Sequence, residues 1–400
     1  MKEFAILFIA LIVTACHHSA IEPDLKPEVP STATEQVARS NDDFAFNIFR
    51  NIQGTTTSQN ISISPFSVSV ALAMVLNGAQ ADTRQSILNV IDYGNLSGDE
   101  VNQAYEDISS DLLTADKNVQ LNIANSIWYN NLYSINKKFD SVIVADFSGN
   151  IQALDFMNPS SKDVINNWVS QKTNNKINNL IDGVSPNDVM YLLNALYFNG
   201  SWSNQFNPRL THTDHFTTYD GANQSVNMMQ SDDITLLQNK LDNLQLIDIP
   251  YGNGQFRFTI LLPENEDEYK KTLRNFNSQK LSEWLSNAES VVQSLHLPKF
   301  KITWKDDLKP ILSSMGMSMQ GFPYLLSTQM DTEISRITHQ TIVDVDEVGT
   351  EAAAATGITV TITSVGPEAI LVNKPFIFMI REKNSGVILF MGQLMDPSKL

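Results

Sequence analysis

Asp346-Glu-Val-Gly-Thr-Glu-Ala-Ala-Ala-Ala-Thr-Gly-Ile-Thr-Val-Thr-Ile-Thr-Ser-Val-Gly366 carries two conflicting local signals. Thr350 suits a helix N-cap, the alanines Ala352 to Ala355 are the strongest helix formers, and Gly357 suits a stop. The following run Ile358-Thr-Val-Thr-Ile-Thr363 is β-branched at every position and prefers an extended chain, and so short a helix is marginal alone. Local pattern therefore leaves helix and extended chain both open. Across the wider stretch from Val348 to Asn373 there is no Lys or Arg.

Outward from this stretch, strand-like runs dominate. Ile370 to Ile380 and Val387 to Leu394 read as a hairpin joined across Asn384-Ser385-Gly386. Upstream, Leu192 to Phe198, Leu244 to Ile249 and Phe256 to Leu262 read as strands, the last closed by Pro263. Helical patterns concentrate toward the N-terminal half. One is expected to begin near Ser40, with Asp42 and Asp43 at its positive end and Phe44, Ile48 and Ile52 along one face. Another is expected after Ser64 as cap and Pro65 in the first turn, stopping at Gly78. Helices and strands without steady alternation predict an α+β fold. There is no internal repeat, and no Pro- or Gly-rich break divides 40–400, so these residues are expected to form one domain.

The composition, 42% hydrophobic and 18% charged, supports a packed core. With 44 acidic against 27 basic residues, the net charge is −17, which disfavours nucleic acid and anionic lipid surfaces as partners. Cys16 is the only cysteine, so no intrachain disulfide is possible. It follows Lys2, an apolar run from Phe4 to Val13 and small residues, the order of an export signal rather than a membrane span. Val13-Thr14-Ala15-Cys16 resembles the lipobox of bacterial lipoproteins. That resemblance implies a signal peptide over 1–15, lipidation at Cys16, and a protein tethered by residues 16–39 to a bacterial cell envelope, at the outer membrane or cell surface.

The quoted stretch resembles the hinge and reactive-centre loop of the serpin family. Asn60-Ile-Ser-Ile-Ser-Pro-Phe-Ser67 with Gly78-Ala-Gln-Ala-Asp-Thr83, Trp168-Val-Ser-Gln-Lys-Thr-Asn-Asn-Lys-Ile177, Asn194-Ala-Leu-Tyr-Phe-Asn-Gly-Ser-Trp202, Leu297-Pro-Lys-Phe300 and Asn373-Lys-Pro-Phe376 resemble further serpin stretches in the same order. The similarity covers 40–400. It implies a domain of about nine helices and three sheets with an exposed loop, and a monomer that inhibits proteases. A protease attacks the loop and forms an acyl link, and the cut loop then enters the large sheet as a new strand.

On this resemblance Glu347, Gly349, Thr350, Glu351, Ala352, Ala353, Ala354, Ala355 and Thr356 form the hinge. In an inserted strand Thr350, Ala352, Ala354 and Thr356 would share the inward face and Glu351 would stay outside. Gly349 is expected to supply backbone freedom where the chain turns into the sheet. Ser64, Ser67, Asn194 and His339 fall at the family's polar latch, called the shutter. Trp202 falls at the breach, where insertion begins. The scissile bond is expected at Thr363-Ser364, or at Ser364-Val365. The lack of basic residues makes trypsin-like proteases poor targets, while elastase-like or subtilisin-like proteases suit the small and β-branched residues, with papain-like cysteine proteases a weaker match.

The competing assignments are less well supported. Ser67 with His339 resembles a nucleophile and base, yet no Gly-x-Ser-x-Gly elbow occurs, so the chain is not expected to be an enzyme. His212-Thr-Asp-His215 is read as exposed turn residues rather than as a metal site, and no cofactor or metal is expected. A non-inhibitory serpin acting as a surface binding protein is the alternative.

Overall fold

The computed structural model describes residues 30–54, 59–350 and 369–399. Cys16, the hinge positions Glu351 to Thr356 and the scissile positions Thr363, Ser364 and Val365 lie outside the described residues. The helices are α1 Thr32–Gln53, α2 Pro65–Leu76, α3 Ala81–Val90, α4 Gly98–Thr114, α5 Lys137–Phe147, α6 Ser161–Lys172, α7 Glu266–Asn275, α8 Ser278–Ser286 and α9 Lys309–Ser314, nine among the described residues. The strands are β1 Ile61–Ile63, β2 Val119–Asn130, β3 Asn150–Leu154, β4 Met190–Ser201, β5 His212–Thr217, β6 Asn223–Leu241, β7 Leu244–Pro250, β8 Phe256–Pro263, β9 Glu289–Pro298, β10 Phe300–Asp307, β11 Thr338–Val345, β12 Gly349–Thr350, β13 Ile370–Leu371, β14 Phe376–Glu382 and β15 Ile388–Leu394.

Helix α1 corrects the expected start near Ser40. It begins at Thr32, where the Ser31 side chain accepts the Thr34 N–H, and its first turns already bury Val37 and Ala38. The stretch 32–39 is thus helix rather than tether, its apolar face being too sparse to stand out beside the prolines before it. Helix α2 has Ser64 as its cap, accepting from Ser67 N, and Pro65 in its first turn. Every residue of α2 is buried, as its all-round apolar sequence demands.

Two sheets organise these elements among the described residues, not the three implied by the resemblance. The smaller has the order β10-β11-β12-β4-β2-β3, and the larger runs β1-β15-β14-β8-β7-β6-β9-β13 with β5 also paired to β6. The 19-residue β6 pairs with β5 at its start, β9 along its length and β7 at its end. It thereby joins strands that would otherwise form separate sheets. The expected hairpin at the end of the chain is also divided. Residues 376–382 do pair with 388–394, but Ile370 and Leu371 pair instead with β9, and parallel to it.

Strand parity places two cores. In β4, Leu196 and Phe198 join the main core under α2, whereas Leu193 and Ala195 face the other way into a second cluster with Trp128, Ile165 and Val169. The second cluster contains the buried face of α6. The small sheet is therefore packed on both sides, and its rows of side chains are strictly sorted. Under the larger sheet, Asp248 is fully buried between two arginines, accepting from Arg257 Nε at 2.8 Å and an Arg381 terminal nitrogen at 3.0 Å. These bonds cross-link β7, β8 and β14 at a point where an unpaired charge would be strongly destabilising.

Candidate functional site

The chain turns at the end of β11 and enters β12, and this turn is fixed by its own side chains. Asp346 Oδ1 accepts the N–H groups of Val348 at 2.9 Å and Gly349 at 3.1 Å, while Asp346 N donates to Gly349 O at 2.9 Å. Glu347 accepts from Thr211 Oγ1 at 2.9 Å and from Lys299 Nζ at 2.7 Å. Burial opposes its charge, but these bonds outweigh it and hold the Glu347 carboxyl below its ordinary range. Trp202 closes the other side. Its backbone N–H donates to Val348 O at 2.8 Å and its indole N–H to Asp346 O at 2.9 Å.

Beneath the turn, the Trp202 ring stacks on Tyr251 with centroids 4.4 Å apart, and the Tyr251 hydroxyl shares a 2.6 Å hydrogen bond with Thr350 Oγ1. Thr350 is buried, and it lies in a strand rather than at a helix cap. Gly349 has a different reason from the one expected. Its φ is not in the left-handed region, and a Cβ there would lie 2.0 Å from the Gly200 carbonyl oxygen. It is glycine because two backbones meet, not because the chain needs an unusual turn.

Strand β12 is a two-residue wedge between longer neighbours. Thr350 pairs antiparallel with Val345 on β11 and with Gly200 on β4, and Gly349 pairs with Ser201. Since β12 is antiparallel to both, β4 and β11 run parallel to each other. No ladder joins them directly among the described residues.

Farther along this pair lie Ser64, Ser67, Asn194 and His339, which the structure brings together. Ser67 Oγ donates to Asn194 Oδ1, Asn194 Nδ2 donates to Asn125 Oδ1, and Asn125 Nδ2 donates to Phe147 O at 2.8 Å. Ser64 N donates to His339 Nε2 at 3.0 Å, which requires the unprotonated nitrogen there. The Ser67 hydroxyl and the His339 lone pair are thus engaged with other partners, and the two residues do not form a nucleophile–base pair. Burial pushes the His339 imidazole down to about 4, so it is neutral at neutral pH.

Sequence reading missed Tyr251, Asn125, Thr211 and Lys299. Each sits far along the chain from its partners, and only Lys299 falls in a quoted stretch, Leu297-Pro-Lys-Phe300, where the resemblance gives it no role of its own. The His212 to His215 segment lies on strand β5 and not in a turn.

Comparison with known proteins follows the same outline. Residues 39–397 match the family described as Serpin (serine protease inhibitor). Neuroserpin of Mus musculus is 28% identical over 376 residues, covering 90% of this chain and 91% of its own. Antithrombin-III of Homo sapiens is 27% identical over 389 residues, covering 93% and 84%. Among solved structures, a thyroxine-binding globulin complex with thyroxine superposes with a TM-score of 0.82 at 26% identity, covering 90% of this chain and 99% of its own. These findings correct the bare expectation that the chain is no enzyme. The family's role is a positive one defined against an enzyme, protease inhibition, which is not catalytic turnover.

His339 yields a pH prediction. Its folded value of about 4 lies below the ordinary 6.5, so the unfolded chain takes up the proton first and stability falls as pH drops from about 6.5 to 4. The loss from this group is limited to ~3 kcal/mol. Denaturant unfolding at stepped pH should show a shallower fall for His339→Gln, which keeps an acceptor without titrating. An unchanged pH slope in the variant would contradict the assignment.

Proposed function

As the chain belongs to the serpin family, we infer that it is a suicide-substrate inhibitor that traps a serine protease, or less readily a cysteine protease, as an acyl complex. The observation that carries this reading is the placement of β12. Gly349 and Thr350 already lie antiparallel between β4 and β11, in the orientation a full inserted strand would need. Antiparallel ladders to both neighbours would replace the weaker direct pairing open to two parallel strands. The registers continue by arithmetic. Thr350 faces Gly200 and Val345, so Ala352 would meet Phe198 and Val343, Ala354 would meet Leu196 and Thr341, and Thr356 would meet Asn194 and His339.

The inward residues are small where they would enter between packed strands, and the last of them would arrive at the polar cluster. Hydrogen-bonding groups can exchange partners there as the strands separate. In the reaction, the protease serine oxygen would attack the carbonyl of Thr363, or of Ser364. The peptide bond would break with release of the following amine, and insertion would begin before water hydrolyses the ester. The distorted protease would then remain attached. Elastase-like or subtilisin-like enzymes suit this loop, and the absence of Lys and Arg disfavours trypsin-like ones. We take the protein to act as a monomer, held at a bacterial envelope through lipid on Cys16.

A second reading, a non-inhibitory binding protein cut without trapping anything, is favoured by the likeness to thyroxine-binding globulin, whose structure holds thyroxine. One experiment separates the two. Incubation with elastase, subtilisin and trypsin should give a complex that survives boiling in detergent with the first two. Ala354→Glu should divert at least ~tenfold more of the inhibitor to plain cleavage, because its charge must be buried on insertion, while Ala353→Glu on the outer face should not. Cleavage without complex for every protease favours the binding protein, and equal yields from the two variants would refute the inward face.

The anchor has its own test. Metabolic labelling with a fatty acid should mark the parent and leave Cys16→Ala unlabelled and released from membranes. Label retained by the variant would overturn it.

A further inference from the structure

We propose that His212, Asp214 and His296 form a binding site for a divalent transition metal of the zinc class. Their three ligand atoms lie within 4.8 Å of one another. His212 Nε2 and Asp214 Oδ2 are 3.9 Å apart. A tetrahedral shell with bonds of about 2.0–2.2 Å needs ligand atoms about 3.3 Å apart, within reach of small side-chain rotations.

Each donor is already oriented as a ligand would be. His212 Nδ1 lies 2.9 Å from Leu210 O. A carbonyl only accepts, so the proton sits on Nδ1 and the lone pair on Nε2 faces the cluster. Asp214 Oδ1 accepts from His215 N at 2.8 Å, leaving Oδ2 toward His212. His296 Nδ1 is buried without a hydrogen-bond partner among the described residues, which is uncommon for a polar atom.

The cluster is spread over separate strands. His212 and Asp214 share one face of β5 and His215 lies on the other, while His296 comes from β9, also paired to β6. Two imidazoles with one carboxylate suit zinc, cobalt or nickel rather than calcium or magnesium, and His212 is solvent-exposed, so an ion can enter. His296 also faces Leu371 across the β9–β13 ladder, and its carbonyl accepts the Val372 N–H at 2.9 Å. A metal joining β5 to β9 would therefore stiffen the strand to which the chain returns after 351–368. This inference does not depend on the inhibitory reading.

The test uses the full chain after chelator treatment. Titration with Co2+ should show a single saturable site with the visible absorption of tetrahedral cobalt, displaced by Zn2+ and unaffected by Ca2+ or Mg2+. His296→Gln and His212→Gln should each weaken binding by at least ~100-fold. His215→Gln, and a double change of His17 and His18 to Ala, should leave it intact. Zn2+ should also raise the melting temperature and slow amide exchange at Val372 in the parent but not in His296→Gln. Absence of saturable cobalt binding, or undiminished binding in His296→Gln, would overturn the proposal.

Discussion

The parallel course of β4 and β11, separated at one end by a two-residue strand, is the constraint from which the rest of the site follows. Two parallel strands side by side form a less favourable ladder than either would form with an antiparallel strand between them. Gly349 and Thr350 supply the first step of that better arrangement. The approach is so close that only glycine fits against the Gly200 carbonyl, and Thr350 is then aimed at Tyr251. Asp346, Glu347 and Trp202 hold the turn above, so the wedge has a fixed direction and register.

That register links two places far apart in the sequence. Counting pairs from Thr350 leads to Asn194 on one side and His339 on the other, the residues bonded to Ser67 and Ser64 at the start of α2. The first positions passed are apolar contacts and the last is a hydrogen-bonded cluster. Interlocked apolar packing resists sliding, whereas polar groups can exchange partners. The buried, neutral His339 makes the second set sensitive to protons. Ser64 also caps α2, and every residue of that helix is buried.

Much of this was legible from sequence where physics is local. Ser64 and Pro65 announced α2, and alternation placed β7 and β8, because caps and strand parity depend on near neighbours. The assignment of Thr350 to the inward face of an inserted strand rested on the small size of Thr350 and its partners and on the charge of Glu351, which the opposite parity would bury. What sequence could not supply was pairing across distance. The true start of α1 was hidden because Val37 and Ala38 are sparse in a polar stretch. The join of two sheets through β6 depends on one strand having three neighbours, and Tyr251 gains its meaning only from folding beneath Trp202. The reason for Gly349 was similarly misjudged, since close approach of a partner strand leaves no local trace. His296 shows the same limit, for its companions stand some eighty positions away on another strand.

The central claim is that the uncut fold has not reached its most stable strand arrangement. Thermal unfolding of the intact chain and of the same chain cut once within Val360 to Gly366 tests it most directly. Insertion predicts that the cut form melts higher by at least ~10 °C, the scale of several kcal/mol in a chain of this size. A cut form that melts at the same temperature or lower would show that the space between β4 and β11 does not accept the loop, and the account would fail.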